Sequence, residues 1–306
     1  MQTPLVLVLD VGTTMLKASL ISPAGDFAAG RARSWGYRHE PDIRGGLTFD
    51  PAVLPRHFAE LVHEILSADP SLRQRIAAVT VSAQRLGFVL LNAANEPICG
   101  IPNIDRRAAE EAAAYQNDFF EPYYPQAGRW PGPQHMITRL RWWRKHAPEQ
   151  LQSFGKILSI SDWLVYILCG VMASEPTTAC ESCLLDVRTL SWNTDLLSYE
   201  AIPRHFFCDL VPPGSIAGTA RGAAAAALEI PNGTPVITGA GDTQLGVLGA
   251  GGVTAGRCAV VAGSSAPVNR VIARPVVDSG FRTVTNPHVV SGAWVLEANE
   301  IGRAHV

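Results

Sequence analysis

Long apolar stretches, a surplus of one charge and a dense cysteine framework are all missing from this sequence of 306 residues, and each absence excludes a class of protein. The apolar run Leu5 to Leu9 stops at Asp10 and has no basic segment before it, which is the pattern of neither a signal peptide nor a membrane span. No membrane partner is expected, and the expected location is cytoplasmic. A formal net charge of −2 gives no electrostatic reason to expect nucleic acid as a partner. Six scattered cysteines (Cys99, Cys169, Cys180, Cys183, Cys208 and Cys258) fit reduced thiols better than disulfides. Cys180-Glu-Ser-Cys183 has no second pair or nearby histidine to complete a zinc site. What remains is an ordinary globular composition, 47% hydrophobic and 17% charged, long enough for about two domains and suited to small-molecule partners.

The order of elements reads as α/β. Leu5 to Leu20, LVLVLDVGTTMLKASL, places two apolar strands around a short turn. PAVLPRHFAELVHEIL (51–66) puts Leu54, Phe58, Leu61, Val62 and Ile65 at helical spacing. IAAVTVSA (76–83) and GFVLLN (87–92) are strands, RRAAEEAAAYQ (106–116) and MITRLRWWRKH (136–146) are helices, and FEPYYPQAGRWPGPQ (120–134), with four prolines, is expected to be a surface loop. The alanines 223–227 read as helix, and PVIT is a strand leading into the glycine-rich stretch 239–257, the best candidate for a domain junction. An α/β alternation gathers its polar residues at strand ends, where ligands bind.

Three loops carry chemistry. At the first, Gly12 lets a ligand approach the backbone, the N–H groups and hydroxyls of Thr13 and Thr14 can donate to oxyanions, and Asp10 can hold a hydrated cation; the other reading is a plain hairpin turn. At the second, Asp242 in Gly-Ala-Gly-Asp-Thr-Gln follows a strand, either as a base for an attacking hydroxyl or as a helix cap. The third, AGSSAPV (262–268), offers Gly263, Ser264 and Ser265 as a second phosphate contact, or is a strand-to-strand turn.

Five segments, Asp10-Val-Gly-Thr-Thr, Asn103-Ile-Asp-Arg-Arg-Ala, 161–170, 185–192 and Gly241-Asp-Thr-Gln-Leu-Gly, occur in the order seen in the FGGY family of carbohydrate kinases. The resemblance runs from residue 5 to about residue 299. It implies a ribonuclease-H-like, actin-like ATPase fold of two domains, here 1–250 and the start of a second at 251–306, with sugar and Mg-ATP meeting between them. By that resemblance Asp242 is the general base and Asp10 organises magnesium through water. Gly12, Thr13, Thr14 and Lys17, with Gly263, Ser264 and Ser265, hold the phosphates of ATP, although Lys17 also reads as a solvated strand lysine. Gln84, Arg85, Asn103 and Asp105 are the candidate sugar-binding side chains, although Arg85 and Asp105 also read as a structural ion pair. Among family members the look is nearest to autoinducer-2 kinases, through Asn103-Ile-Asp105, Ser161-Asp-Trp163 and Asn286-Pro-His-Val289, with xylulose and ribulose kinases close behind. Autoinducer-2 and glycerol kinases resemble each other in a glutamate after the arginine, where this chain has Leu86; the change removes a hydroxyl acceptor and leaves the substrate open among the autoinducer-2 precursor, a pentulose such as xylulose, and other polyols.

Other members of the family are considerably longer, and Glu300 to Val306, EIGRAHV, has no helix-stop or strand logic and matches a translated sequencing adapter. The expectation is that these seven residues are not protein-derived and that the fragment as written is catalytically inactive and poorly soluble. A homodimer stays open. The rivals are another ATPase of the same fold, which would lack the Asn103 and Asp242 segments in this order, and a non-catalytic sugar-binding regulator, which would be expected to lose Asp10 or Asp242.

Overall fold

The computed structural model describes residues 3–118, 120–261 and 266–300. The chain opens with an antiparallel meander, β1 (Leu5–Val11), β2 (Met15–Ile21) and β3 (Phe27–Ser34). Alternation sets the faces: Leu5, Leu7, Leu9 and Val11 point into the core. Helix α1 (Val53–Ala68) buries the stripe expected from its spacing, and β4 (Ile76–Ala83) then pairs with β1 in parallel. Next come β5 (Phe88–Asn92), β6 (Pro97–Ile101), α2 (Ala109–Asp118), α3 (Phe120–Ala127), α4 (Met136–His146), β7 (Phe154–Ser159), α5 (Ile160–Cys169) and the single turn α6 (Pro176–Ala179). Strand β8 (Ile216–Thr219), α7 (Gly222–Ala227), β9 (Pro235–Gly241) and α8 (Asp242–Gly249) follow. The chain continues through β10 (Cys258–Val260), β11 (Ala266–Ile272), β12 (Val284–Pro287) and β13 (Trp294–Glu300).

Three sheets organise these strands. The largest runs β8-β9-β4-β1-β2-β3, with β9, β4 and β1 mutually parallel; a second is β6-β5-β7, and a third β10-β11-β13-β12. An antiparallel meander continued by parallel strands is the arrangement expected of a ribonuclease-H-like fold. One core packs α1 and α5 against the large sheet, a second surrounds β5 and α4, and a small third, Val247, Val271 and Val295, joins α8 to the last sheet.

Two expectations need correcting. The proline-rich segment 120–134 is not a surface loop: α3 occupies its first half, and Tyr123, Tyr124 and Arg129 are buried. Pro125 lies inside α3, where it gives up one helical hydrogen bond, and Tyr123 and Tyr124 reach Glu200 and the Thr283 carbonyl. The helix expected at 106–116 starts later, at Ala109, because Arg107 turns inward ahead of it to Asp105 and Glu40. All six cysteines are free, and Cys180 and Cys183 are buried, with burial pushing both thiols up. Among the described residues, strand β10 has β11 as its one neighbour.

Candidate functional site

Parallel pairing brings three strand ends into register. Asp10 lies beside Ser82 and Ser82 beside Ala240; one step on, Val11, Ala83 and Gly241 align. Gly12, Gln84 and Asp242 therefore leave the sheet side by side, at the carboxyl ends where open α/β sheets bind ligands. The close approach needs glycine. A Cβ on Gly239 would stand 1.4 Å from the Val81 carbonyl oxygen, and one on Gly241 would meet Gln244 Oε1 at 2.8 Å and Arg85 Cγ at 3.0 Å.

The tip between β1 and β2 is buttressed from behind. Gly12 N–H donates to the Met15 carbonyl at 2.9 Å, Trp35 Nε1 to the Gly12 carbonyl at 2.9 Å, and the Tyr37 hydroxyl to the Thr13 carbonyl. Burial pushes the Tyr37 phenol up to about 12, so it stays a donor. Asn103 Nδ2 donates to Thr13 Oγ1 at 2.9 Å, and Thr14 is exposed. Gln84 Nε2 lies 3.3 Å from the Tyr37 hydroxyl. Two buried acceptors here, Gln84 Oε1 and Asn103 Oδ1, have no hydrogen-bond partner among the described residues. Lys17 Nζ is 3.4 Å from Asp10 Oδ2, its cross-strand neighbour.

Asp242 opens α8, with Gly241 rather than the aspartate as the cap, and its Oδ1 accepts from the Thr243 N–H at 2.7 Å. Burial, and more weakly the Asp10 carboxylate, raise its pKa against the pull of Arg85 and Thr243. A carboxylate held above its ordinary range is a better proton acceptor.

Arg85 and Asp105 are placed less simply than a sugar-binding role requires. The Arg85 guanidinium grips Glu297 of β13 with two bonds of 2.8 and 3.1 Å and lies 3.4 Å from Glu181. Asp105 is fully enclosed, accepting from Arg107 Nε at 3.0 Å and the Leu47 N–H at 2.7 Å, with Arg139 Nε at 3.3 Å. Its carboxylate has no surface for a sugar, so the structural ion pair is the reading that geometry favours for Asp105. Gly263, Ser264 and Ser265 lie outside the described residues.

The model of the FGGY family of carbohydrate kinases, N-terminal domain, matches residues 5–249. The chain belongs to the FGGY family. Autoinducer-2 kinase of Salmonella typhimurium is 31% identical over 288 residues, covering 93% of this chain and 54% of that protein, and autoinducer-2 kinase of Escherichia coli K12 matches to the same extent. This chain thus spans about half the length of the curated relatives it matches. Among solved structures, xylulose kinase of Lactobacillus acidophilus superposes with a TM-score of 0.89 at 21% identity, covering 97% of this chain and 60% of that one. Glycerol kinase of Plasmodium falciparum, solved with ADP, gives 0.85 at 15% identity, covering 97% and 61%. These likenesses establish the actin-like ATPase fold.

For an FGGY chain the donor set suits a hydrated magnesium ion. No group of three His, Cys, Asp or Glu side chains able to cage a metal occurs among the described residues. Magnesium asks for less, one or two carboxylates with water and substrate phosphates, and Asp10 at the tip meets that demand. No helix among the described residues is long and apolar enough to cross a membrane.

Several site residues were not found from the FGGY motifs. Trp35 and Tyr37 reach the tip from the segment that follows β3. Glu181 and Glu297 flank Arg85, and Arg129 binds Glu181 and Asn286 while lying 3.0 Å from Cys180 Sγ. Only Asn286 carried a signal, within Asn286-Pro-His-Val289. Beside this network, burial first and Arg129 second lower His135 to about 3, so it stays neutral.

Proposed function

We infer that this chain is the part of an ATP-dependent carbohydrate kinase that transfers the γ-phosphate of Mg-ATP to a hydroxyl of a small sugar or polyol, with Asp242 as general base. The observation that supports the reading is that Asp10 and the Gly12–Thr14 tip at the end of β1, and Asp242 at the end of β9, flank the end of β4 on the same side of the sheet. In this reading residues 1–250 form the N-terminal kinase domain and residue 251 onward begins a second domain. The autoinducer-2 precursor and pentuloses such as xylulose are the acceptors most in keeping with the named relatives.

Phosphoryl transfer asks mainly for alignment and charge neutralisation. Asp242 takes the acceptor hydroxyl's proton as that oxygen bonds to the γ-phosphorus and the bond to ADP breaks. The backbone and hydroxyls of Gly12, Thr13 and Thr14, with Lys17, hold the phosphates. Asp10 would hold magnesium through water, and the ion would supply positive charge against that of the phosphates. Asn103 orients the Thr13 hydroxyl, while Gln84 and Arg85 border the acceptor. Leu86 in place of a carboxylate favours an acceptor with one hydroxyl fewer to satisfy at that point.

The test is acceptor-dependent ADP release by the product of the complete gene, with the autoinducer-2 precursor, xylulose, ribulose, erythritol and glycerol side by side. One acceptor raising ADP release well above the rest, and loss of that release in Asp242→Asn with sugar binding retained, is the expected result. Equal release with and without every acceptor, or an active Asp242→Asn, refutes the reading.

A further inference from the structure

We propose that Glu175 and Thr177 form a positioning relay that sets the backbone in front of Asp242, and hence the reach of the base. This inference rests on the kinase reading above and adds residues to it that no motif named.

The relay is a chain of three groups. Glu175 Oε1 accepts from the Thr177 N–H at 2.9 Å, and Oε2 accepts from the Thr177 hydroxyl at 2.5 Å and the Thr178 N–H at 3.2 Å. With its hydrogen directed at the Glu175 carboxyl group, Thr177 Oγ1 turns a lone pair to the Gly241 N–H at 2.9 Å, across 64 positions of sequence. Thr177 is fully enclosed and Glu175 is 1% exposed, so both groups are shielded from bulk water. A hydroxyl that donates to one group is also a stronger acceptor for another, which couples the two bonds.

Gly241 has little freedom otherwise. One side of it lies against Gln244 and Arg85, where even a methyl group would collide, and the Thr177 hydroxyl holds its N–H on the other. It is the cap residue of α8 and has no side chain with which to anchor itself. Asp242 is the next residue. The Thr177 bond therefore decides where the first turn of α8 begins, and a shift of about 1 Å at a base costs roughly a hundredfold in rate. Capping of α6 by Glu175 is a separate, local job, which explains the carboxylate but not the bond to Gly241.

Thr177→Val keeps the shape and removes the acceptor, whereas Thr177→Ser keeps the hydroxyl. In the product of the complete gene, Thr177→Val is expected to lower kcat about ten- to a hundredfold with KM for sugar and ATP within about twofold, and Thr177→Ser to restore it. The Gly241 amide should exchange with solvent faster in the valine variant alone. Unchanged kcat in Thr177→Val, equal loss in valine and serine, or a loss confined to KM overturns the relay. If the valine variant does not fold, Thr177→Ala, which also removes the acceptor, must show the same fall in kcat with KM held; an unaltered kcat there overturns the relay too. A wild-type protein without acceptor-dependent ADP release defeats the kinase reading instead, and faster Gly241 exchange in Thr177→Val then still decides the relay.

Discussion

Gly239→Ala tests whether the site depends on the close contact between β9 and β4. The alanine Cβ would fall 1.4 Å from the Val81 carbonyl oxygen and 2.6 Å from its carbon, inside covalent range, and both are backbone atoms that no rotamer change can move. The strands must part by more than an ångström, or the irregularity between Ile237 and Ala240 must flatten and slip the register. Either route breaks the pairing of Ala240 with Ser82 and Gly241 with Ala83, the step that sets Asp242 beside the tip. Strain of this kind belongs with the exceptional substitutions of more than about 4 kcal/mol, a large share of a stability of roughly 5–15 kcal/mol. The expected result is a fall of about 10 °C or more in the unfolding midpoint, together with loss of acceptor-dependent ADP release. Gly249→Ala is the control: nothing lies within 4 Å of its Cβ, and at the end of α8 it should be neutral or stabilising by about 0.5–1 kcal/mol. A Gly239→Ala protein with wild-type midpoint and turnover would refute the argument.

Three further outcomes are expected. Arg85→Met strips Glu297 of a bidentate partner at 3% exposure and should cost about 3–5 kcal/mol in urea unfolding, much of it recovered in the double variant with Glu297→Met; a single variant as stable as wild type would contradict this. Tyr37→Phe removes the support of the Thr13 carbonyl and should cost about 1 kcal/mol and raise KM for ATP; an unchanged KM for ATP would detach Tyr37 from the function proposed for the Gly12–Thr14 tip. Burial raises Asp162 to about 7 and Glu175 to about 8, so between about pH 4 and these values the fold holds protons that the unfolded chain has released. Their contribution is complete below the unfolded values and is lost as pH rises through the folded ones. The denaturation midpoint should fall from pH 5 to pH 8.5 less steeply in Asp162→Asn than in wild type, and an equal slope would remove Asp162 from the linkage.

What could be read in the sequence follows from how far away the deciding partner lies. For β1, β2, α1 and β4 the apolar spacing and the local propensity agree, so type and faces are legible within a dozen residues. Asp10, Gly12 and Asp242 are legible for a related reason, since each stands where a strand ends and glycine opens the backbone. Four prolines in 120–134 pointed to a loop, yet α3 forms because Tyr123 is tied to Glu200 and Tyr124 to Thr283, partners that local sequence cannot display. Arg85 and Asp105 show the same limit in chemical form. A charged side chain near a cleft is equally consistent with a hydroxylated ligand and with a carboxylate from elsewhere, and Glu297 lies 212 residues from Arg85. The Thr177 bond to Gly241 has no signature of its own, because a threonine followed by a threonine after Glu-Pro reads as a helix start whether or not its hydroxyl reaches another loop. Local backbone demands therefore identify where chemistry can happen, and long-range pairing decides which of the nearby polar groups remain free to take part in it.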